Sequence, residues 1–184
     1  MITLRYNSDE HIINFKKTGQ YPKIHDDIIK LGSEVPSKVV MDLGCSIGLL
    51  SHRLSNTNDL VLAIEPSREA LAKTIPKENI RYYNFKIQQN TLKDIALLIR
   101  KYNVDTIYAR RVISEIYTTG GYSLVYALSD VFYKANIKHI ILEGRVESSR
   151  SVHKIKNTDK EIELFSKNFK VYKRYKNCAI LIRK

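Results

Sequence analysis

Asp42, Gly44, Ser46 and Gly48 follow one another at intervals of two, inside the stretch VVMDLGCSIGLLSHRL that begins as an apolar run and ends with helical periodicity. Gly44 permits a tight turn, and Gly48 allows close approach of a ligand or of a neighbouring strand. The start of the helix that follows offers free N–H groups. A second acid, Glu65, closes the next apolar run 21 residues after Gly44. A carboxylate accepts from two donors at once, so an acid at that distance suits two ribose hydroxyls. The loop reads D-x-G-x-x-x-G, not the G-x-G-x-x-G of a dinucleotide site. Asp42 would repel a pyrophosphate, which disfavours NAD or FAD. Its charge suits a ligand that joins a ribose to a cationic end.

A second polar group falls at the ends of two later apolar runs. Arg110, Arg111 and Glu115 close one, and Glu143 and Arg145 close the other. Two readings stay open. In one, Arg110 holds an anionic group of a substrate while Glu115 or Glu143 accepts a proton. In the other, Arg110 and Glu143 pair across neighbouring strands and orient the loops. The five histidines and two cysteines show no metal-ligand spacing, so no metal is implied.

These residues need elements to bring them together. Residues 38–43, 60–64, 80–85, 104–109 and 138–143 are short apolar runs of the kind buried in parallel sheets. Between them, Leu92, Ile95, Ala96 and Ile99 fall on one helical face behind a Thr91/Asp94 capping arrangement. Leu124, Leu128, Val131 and Ala135 form another. Thr158 with Glu161 reads as a capping box ahead of Ile162 and Phe165. Residues 169–173 and 178–183 then read as a hairpin. Strands alternating with helices argue for an α/β Rossmann-like doubly wound sheet. Residues 24–35 look like one amphipathic helix. The expected division is a helical segment over 1–35, capping a core over 36–184. Ligands of such sheets sit beyond the carboxyl ends of the strands, where Asp42 and Glu65 are expected.

VVMDLGCSIG followed by LVLAIEPSREAL resembles the first two motifs of class I S-adenosylmethionine-dependent methyltransferases. That cofactor joins an adenosine ribose to a cationic amino-acid end. The resemblance covers about residues 36–184. It implies a seven-stranded sheet in the order 3-2-1-4-5-7-6, strand 7 antiparallel, with helices on both faces. It also implies that Asp42, Gly44, Ser46 and Gly48 line the methionine part and that Glu65 takes the ribose. The adenine contact falls to Lys86, Gln88 or Gln89, of which Gln88 is the choice because an amide reads a base edge. The family often has glycine where Ser46 stands; Ser46 is expected to cap the helix. The amino-methyltransferase signature, the Pro-Cys nucleophile and the ribose-methylating tetrad are not evident. Alignment alone supplies much of the rate of methyl transfer, so a missing acid or base does not exclude activity.

The 184 residues carry a net charge of +12, which favours a polyanionic partner. Residues 151–184 hold ten Lys or Arg against three acids. Phe169, Tyr172 and Tyr175 alternate there with Lys170, Lys173, Arg174 and Lys176, a pattern that suits nucleic acid or, equally, a protected sheet edge. The expected function is a methyltransferase with a lean to RNA or DNA. The alternatives are a small-molecule or peptide methyltransferase and a non-catalytic module of the same fold. With no large insertion, a protein partner is the other expected source of substrate recognition. The absence of a signal-like N-terminus and of long apolar runs leads to the expectation of a cytoplasmic protein without membrane contact.

Overall fold

The computed structural model describes residues 8–145, 155 and 157–184. The short aliphatic runs form parallel strands β1 (Val39–Leu43), β2 (Leu60–Ile64), β3 (Ile80–Tyr83), β4 (Thr106–Arg110) and β5 (His139–Glu143). Helices α3 (Leu49–Leu54), α4 (Arg68–Leu71), α5 (Leu92–Tyr102) and α6 (Ile113–Lys134) connect them, with α1 (Ser8–Thr18) and α2 (Asp26–Gly32) ahead and α7 (Thr158–Phe165) behind. β6 (Phe169–Tyr175) and β7 (Cys178–Arg183) close the chain as a hairpin. The seven strands lie in the order β3-β2-β1-β4-β5-β7-β6, and β7 runs antiparallel to both neighbours.

Strand periodicity divides the core into two layers and selects the residues of the site. Met41, Leu43, Leu62, Ile64, Ile107 and Ala109 face α5, α6 and α7. Val40, Val61, Ala63, Tyr108 and Ile141 face α2 and α3. Two-residue alternation continues the second set into Asp42, Glu65, Arg110 and Glu143. Four polar side chains therefore emerge on one sheet face, at the carboxyl ends of four adjacent parallel strands. α2 packs on that face over β5 and β7, burying Ile28 and Leu31 completely. Each contributes about 1.5–3 kcal/mol on burial. A Cβ on Gly32 would fall 2.2 Å from the Tyr108 hydroxyl, so a glycine there lets α2 sit against β4.

The structure corrects several local readings. α3 begins one residue after Gly48, whose φ of 77° places it at the N-cap, so Ser46 does not cap that helix. The Asn157 side chain, not Thr158, accepts from Lys160 N at the start of α7. Thr158 Oγ1 donates instead to the Asn177 carbonyl, and Glu161 is fully buried. Thr91 Oγ1 accepts from Gln88 N, holding the tight turn before α5 instead of capping α5 itself. α6 reaches back to Ile113 through a break at Gly121 (φ 66°, ψ −160°), a conformation open to glycine alone. Among the described residues no helix is long and apolar enough to cross a membrane.

Candidate functional site

A cleft of about 660 Å³ opens at the carboxyl ends of β1, β2 and β4. One end is lined by Asp42, Gly44, Cys45, Ser46, Glu65 and Phe85, the other by Arg110, Arg111, Glu115, Thr119 and Arg145, with His25 between α1 and α2 on its wall. Its size is that of a small-molecule site.

The loop after β1 is held by backbone bonds to the next strand. Gly44 N and Cys45 N both donate to the Ile64 carbonyl, at 2.8 and 3.0 Å. Gly44 adopts φ 69°, and a Cβ there would stand 2.6 Å from Val112 Cγ2, so this glycine is required by the turn and by the start of α6. A Cβ on Gly48 would stand 2.7 Å from the Tyr82 hydroxyl. Gly48 thus serves the approach to β3 and does not itself line the cleft. Ser46 has φ 52°, the left-handed conformation that glycine adopts at no cost, which accounts for a glycine being acceptable at that position.

Glu65 is anchored from behind. Its Oε2 accepts from Ser46 N and its Oε1 from Ser67 N, both at 2.9 Å. Each carboxylate oxygen has two lone pairs, so one on each oxygen remains for a pair of hydroxyl donors. Asp42, only 1% exposed, accepts from Ser51 Oγ of α3 at 2.5 Å. Burial pushes its carboxyl up to about 7, against the pull of the Ser51 hydrogen bond and of Arg110; Glu65 pushes the same way as burial. A buried acid so poised is short of positive charge. Burial, with Asp42 and Glu65, also drives the Cys45 thiol up, so it is not a nucleophile at neutral pH.

At the other end the buried Glu143 pairs with both Arg110 and Arg111. Glu143 accepts from Arg110 Nε at 3.1 Å and from Arg111 Nε at 3.0 Å. It does not line the cleft, and both oxygens are engaged, so the proton-acceptor role foreseen for it gives way to that of an anchor. Burial raises its pKa while the two guanidinium groups oppose the rise. Arg111 takes φ 54°, a strained conformation for a side chain, and its N–H donates to the Glu143 carbonyl at 2.7 Å. Arg110 lines the cleft beside it. Glu115 also lines the cleft and pairs with Arg145 at 2.7 Å, whose Nε donates to Ser114 Oγ.

Two further outcomes concern single residues. Gln88 lies outside the cleft lining, and the loop after β3 presents Phe85, Lys86 and Ile87 there. His25 is 4% exposed, and burial followed by the charge of Arg110 lowers its pKa to about 3, so the ring is neutral. Nothing in the helical pattern of 24–35 marks His25 for a cleft wall, because its position depends on where α2 docks. Among the described residues no cluster of His, Cys, Asp and Glu fits a metal.

Of the cations on the edge strand β6, Lys173 pairs with Glu34, Arg174 with Asp159 and Lys176 with Asp27. Phe169 is buried in the core and Tyr175 lies beneath Lys30 and Lys176, so Tyr172 is the exposed ring of that strand. Residues 151–154 and 156 of the basic tail lie outside the described residues.

No family model and no curated protein matches the chain. Solved structures do. The N-methyltransferase NodS from Bradyrhizobium japonicum WM9, in complex with S-adenosyl-L-homocysteine, superimposes with a TM-score of 0.64 at 14% identity, over 88% of this chain and 86% of that one. The chain has the class I methyltransferase fold. Fibrillarin, in a complex with Nop5p, matches this methyltransferase-fold chain with a TM-score of 0.59 at 15% identity, covering 85% of this chain and 79% of that one. Monomeric WbdD matches with a TM-score of 0.62 at 16% identity and 85% coverage, and the chain spans 38% of its length.

Proposed function

We propose that this chain is an S-adenosylmethionine-dependent methyltransferase that acts on nucleic acid. The observation that carries the cofactor is the pair of carboxylates at the ends of β1 and β2, both lining one cleft. Asp42 is buried, raised to about 7 and, among the described residues, without a cationic partner at hydrogen-bond distance, so it fits the cationic end of the cofactor. Glu65 is fixed by two backbone N–H groups with lone pairs left over, so it fits the ribose hydroxyls. Ile64, Phe85 and Ile87 give the adjoining part of the cleft an apolar lining suited to a base ring.

When bound, S-adenosylmethionine supplies a methyl group on a positively charged sulfur. The chain's part is to orient and to exclude water. Asp42 and Glu65 hold one end of the cleft, and the walls formed by Val112, Ile116 and Leu50 keep the centre apolar. Arg110, Arg111 and Arg145 present cations at the opposite end, where an anionic acceptor is drawn in. Proximity and alignment then supply the rate. The net charge of +12 favours nucleic acid as that acceptor.

Methyl-labelled S-adenosylmethionine incubated with the protein and with separate pools of RNA, DNA, protein and small molecules tests this reading. Label in a nucleic-acid pool is expected. Label confined to small molecules or protein overturns the acceptor, and no label in any pool overturns the enzyme.

A further inference from the structure

α6 carries four tyrosines outside the cleft lining, and three of them, Tyr117, Tyr122 and Tyr126, form a row. Tyr117 and Tyr122 meet edge to face at 4.9 Å between ring centroids, and Tyr122 and Tyr126 lie nearly parallel at 6.1 Å with an interplanar angle of 23°. Tyr122 is 56% exposed and Tyr126 42%. Residues five apart do not meet on a regular α-helix, where neighbours on one face are three or four apart. The break at Gly121 brings Tyr122 back onto Tyr117. No atom lies within 4 Å of a Cβ built on Gly121, so packing does not demand a glycine there; the backbone conformation does. The row starts on the same turn of α6 as Ile116 and Thr119, which line the cleft.

Two facts identify an occupant. Exposed aromatic faces in a row leading to a cleft offer stacking platforms for flat rings, and base stacking on such faces is tolerant of sequence. The end of the cleft they lead to holds three cations, Arg110, Arg111 and Arg145, against Glu115 and Glu143, a surplus of one positive charge. Lys160 and Lys167, closer to the outer rings, are balanced by Glu163 and Asp130, so the attraction for phosphate is concentrated at the cleft. A ligand with flat rings along its length and an anionic backbone at its reacting end satisfies both. A duplex keeps its base faces inside, whereas RNA loops and ends expose them.

We infer that Tyr117, Tyr122 and Tyr126 form a stacking platform that leads single-stranded RNA into the cleft, with Arg111 and Arg145 meeting the phosphates beside the nucleotide to be methylated. This rests on the methyltransferase reading for its purpose, but binding to the platform is measured without cofactor.

Fluorescence anisotropy with the full chain and a labelled oligouridylate of about 12 nucleotides tests it, with the matching deoxy strand and a duplex as competitors. The single-stranded RNA binds, and both competitors displace it poorly. Tyr122→Ala with Tyr126→Ala weakens binding by about tenfold or more, while Tyr122→Phe with Tyr126→Phe retains it. Gly121→Ala weakens binding by disturbing the row. Arg111→Ala lowers the slope of affinity against salt by about one. Affinity unchanged in the alanine pair, or a duplex or DNA strand bound as tightly as the RNA, overturns the inference. Both tyrosines are largely exposed, so an unchanged thermal midpoint checks that the alanine pair is folded. Titration of the same variants with S-adenosylhomocysteine separates the two readings: lost RNA binding with intact cofactor binding is the expected pattern. Loss of both in the alanine pair contradicts the platform, and failure of the wild type to bind cofactor while RNA still binds contradicts only the methyltransferase reading.

Discussion

Asp42 is the residue through which the cofactor reading becomes measurable. Its carboxyl is raised from an ordinary value near 3.8 to about 7. A raised acid adds to folding stability when protonated and loses that contribution as pH climbs from its unfolded value through its folded one. A cation placed against it reverses the preference and favours the ionised form. Cofactor affinity should therefore rise with pH up to about 7, with a proton released on binding below that value, and then level off. Asp42→Asn should flatten this profile and weaken binding; calorimetry in two buffers of different ionisation heat reads both. Ser46 makes the opposite prediction. Its backbone N–H, not its hydroxyl, serves Glu65, and its φ of 52° suits glycine. Ser46→Gly should leave cofactor affinity unchanged and raise stability by up to about 1 kcal/mol in denaturant titrations. A loss of stability would show that the side chain has a role the hydrogen bonds do not reveal.

Glu143 shows how an element, not a side chain alone, builds the acceptor end. Residues on β4 and β5 stand in register as Arg110 and Glu143, and the strained Arg111 folds back onto the same carboxylate. Glu143→Gln removes the buried charge that Arg110 and Arg111 share, and the expected cost is about 3 kcal/mol in unfolding free energy. An unchanged unfolding midpoint would contradict the anchoring role. Much of this was legible in the sequence, because short continuous apolar runs, two of them followed by acids, announce both the parallel sheet and residues at its carboxyl edge. What the sequence left open depended on docking. The pairing of Arg110 with Glu143 needs the β4–β5 register, His25 reaches the cleft only through the placement of α2, and α6 extends ahead of the face that begins at Leu124 through a break at Gly121. Ser46 was misread for a related reason: a hydroxyl near a helix start suggests a cap, but the glycine two residues later takes that position.

At the scale of the whole molecule, the fold divides one cleft between two chemistries. β1 and β2 bring the carboxylates of Asp42 and Glu65 to it, and β4 with the loops after it brings the cations of Arg110, Arg111 and Arg145. On β6 and the turn after it, Lys173, Arg174 and Lys176 are neutralised by ion pairs with Glu34, Asp159 and Asp27. On the inference made above, the partner meets the cleft and the α6 tyrosines, not β6. The cofactor carries the rest of the account, so calorimetric titration of the full chain with S-adenosylmethionine is its most direct test. One site per chain is expected, with affinity reduced about tenfold or more by Asp42→Asn and by Glu65→Gln. No binding at millimolar cofactor, or binding indifferent to both substitutions, would contradict it.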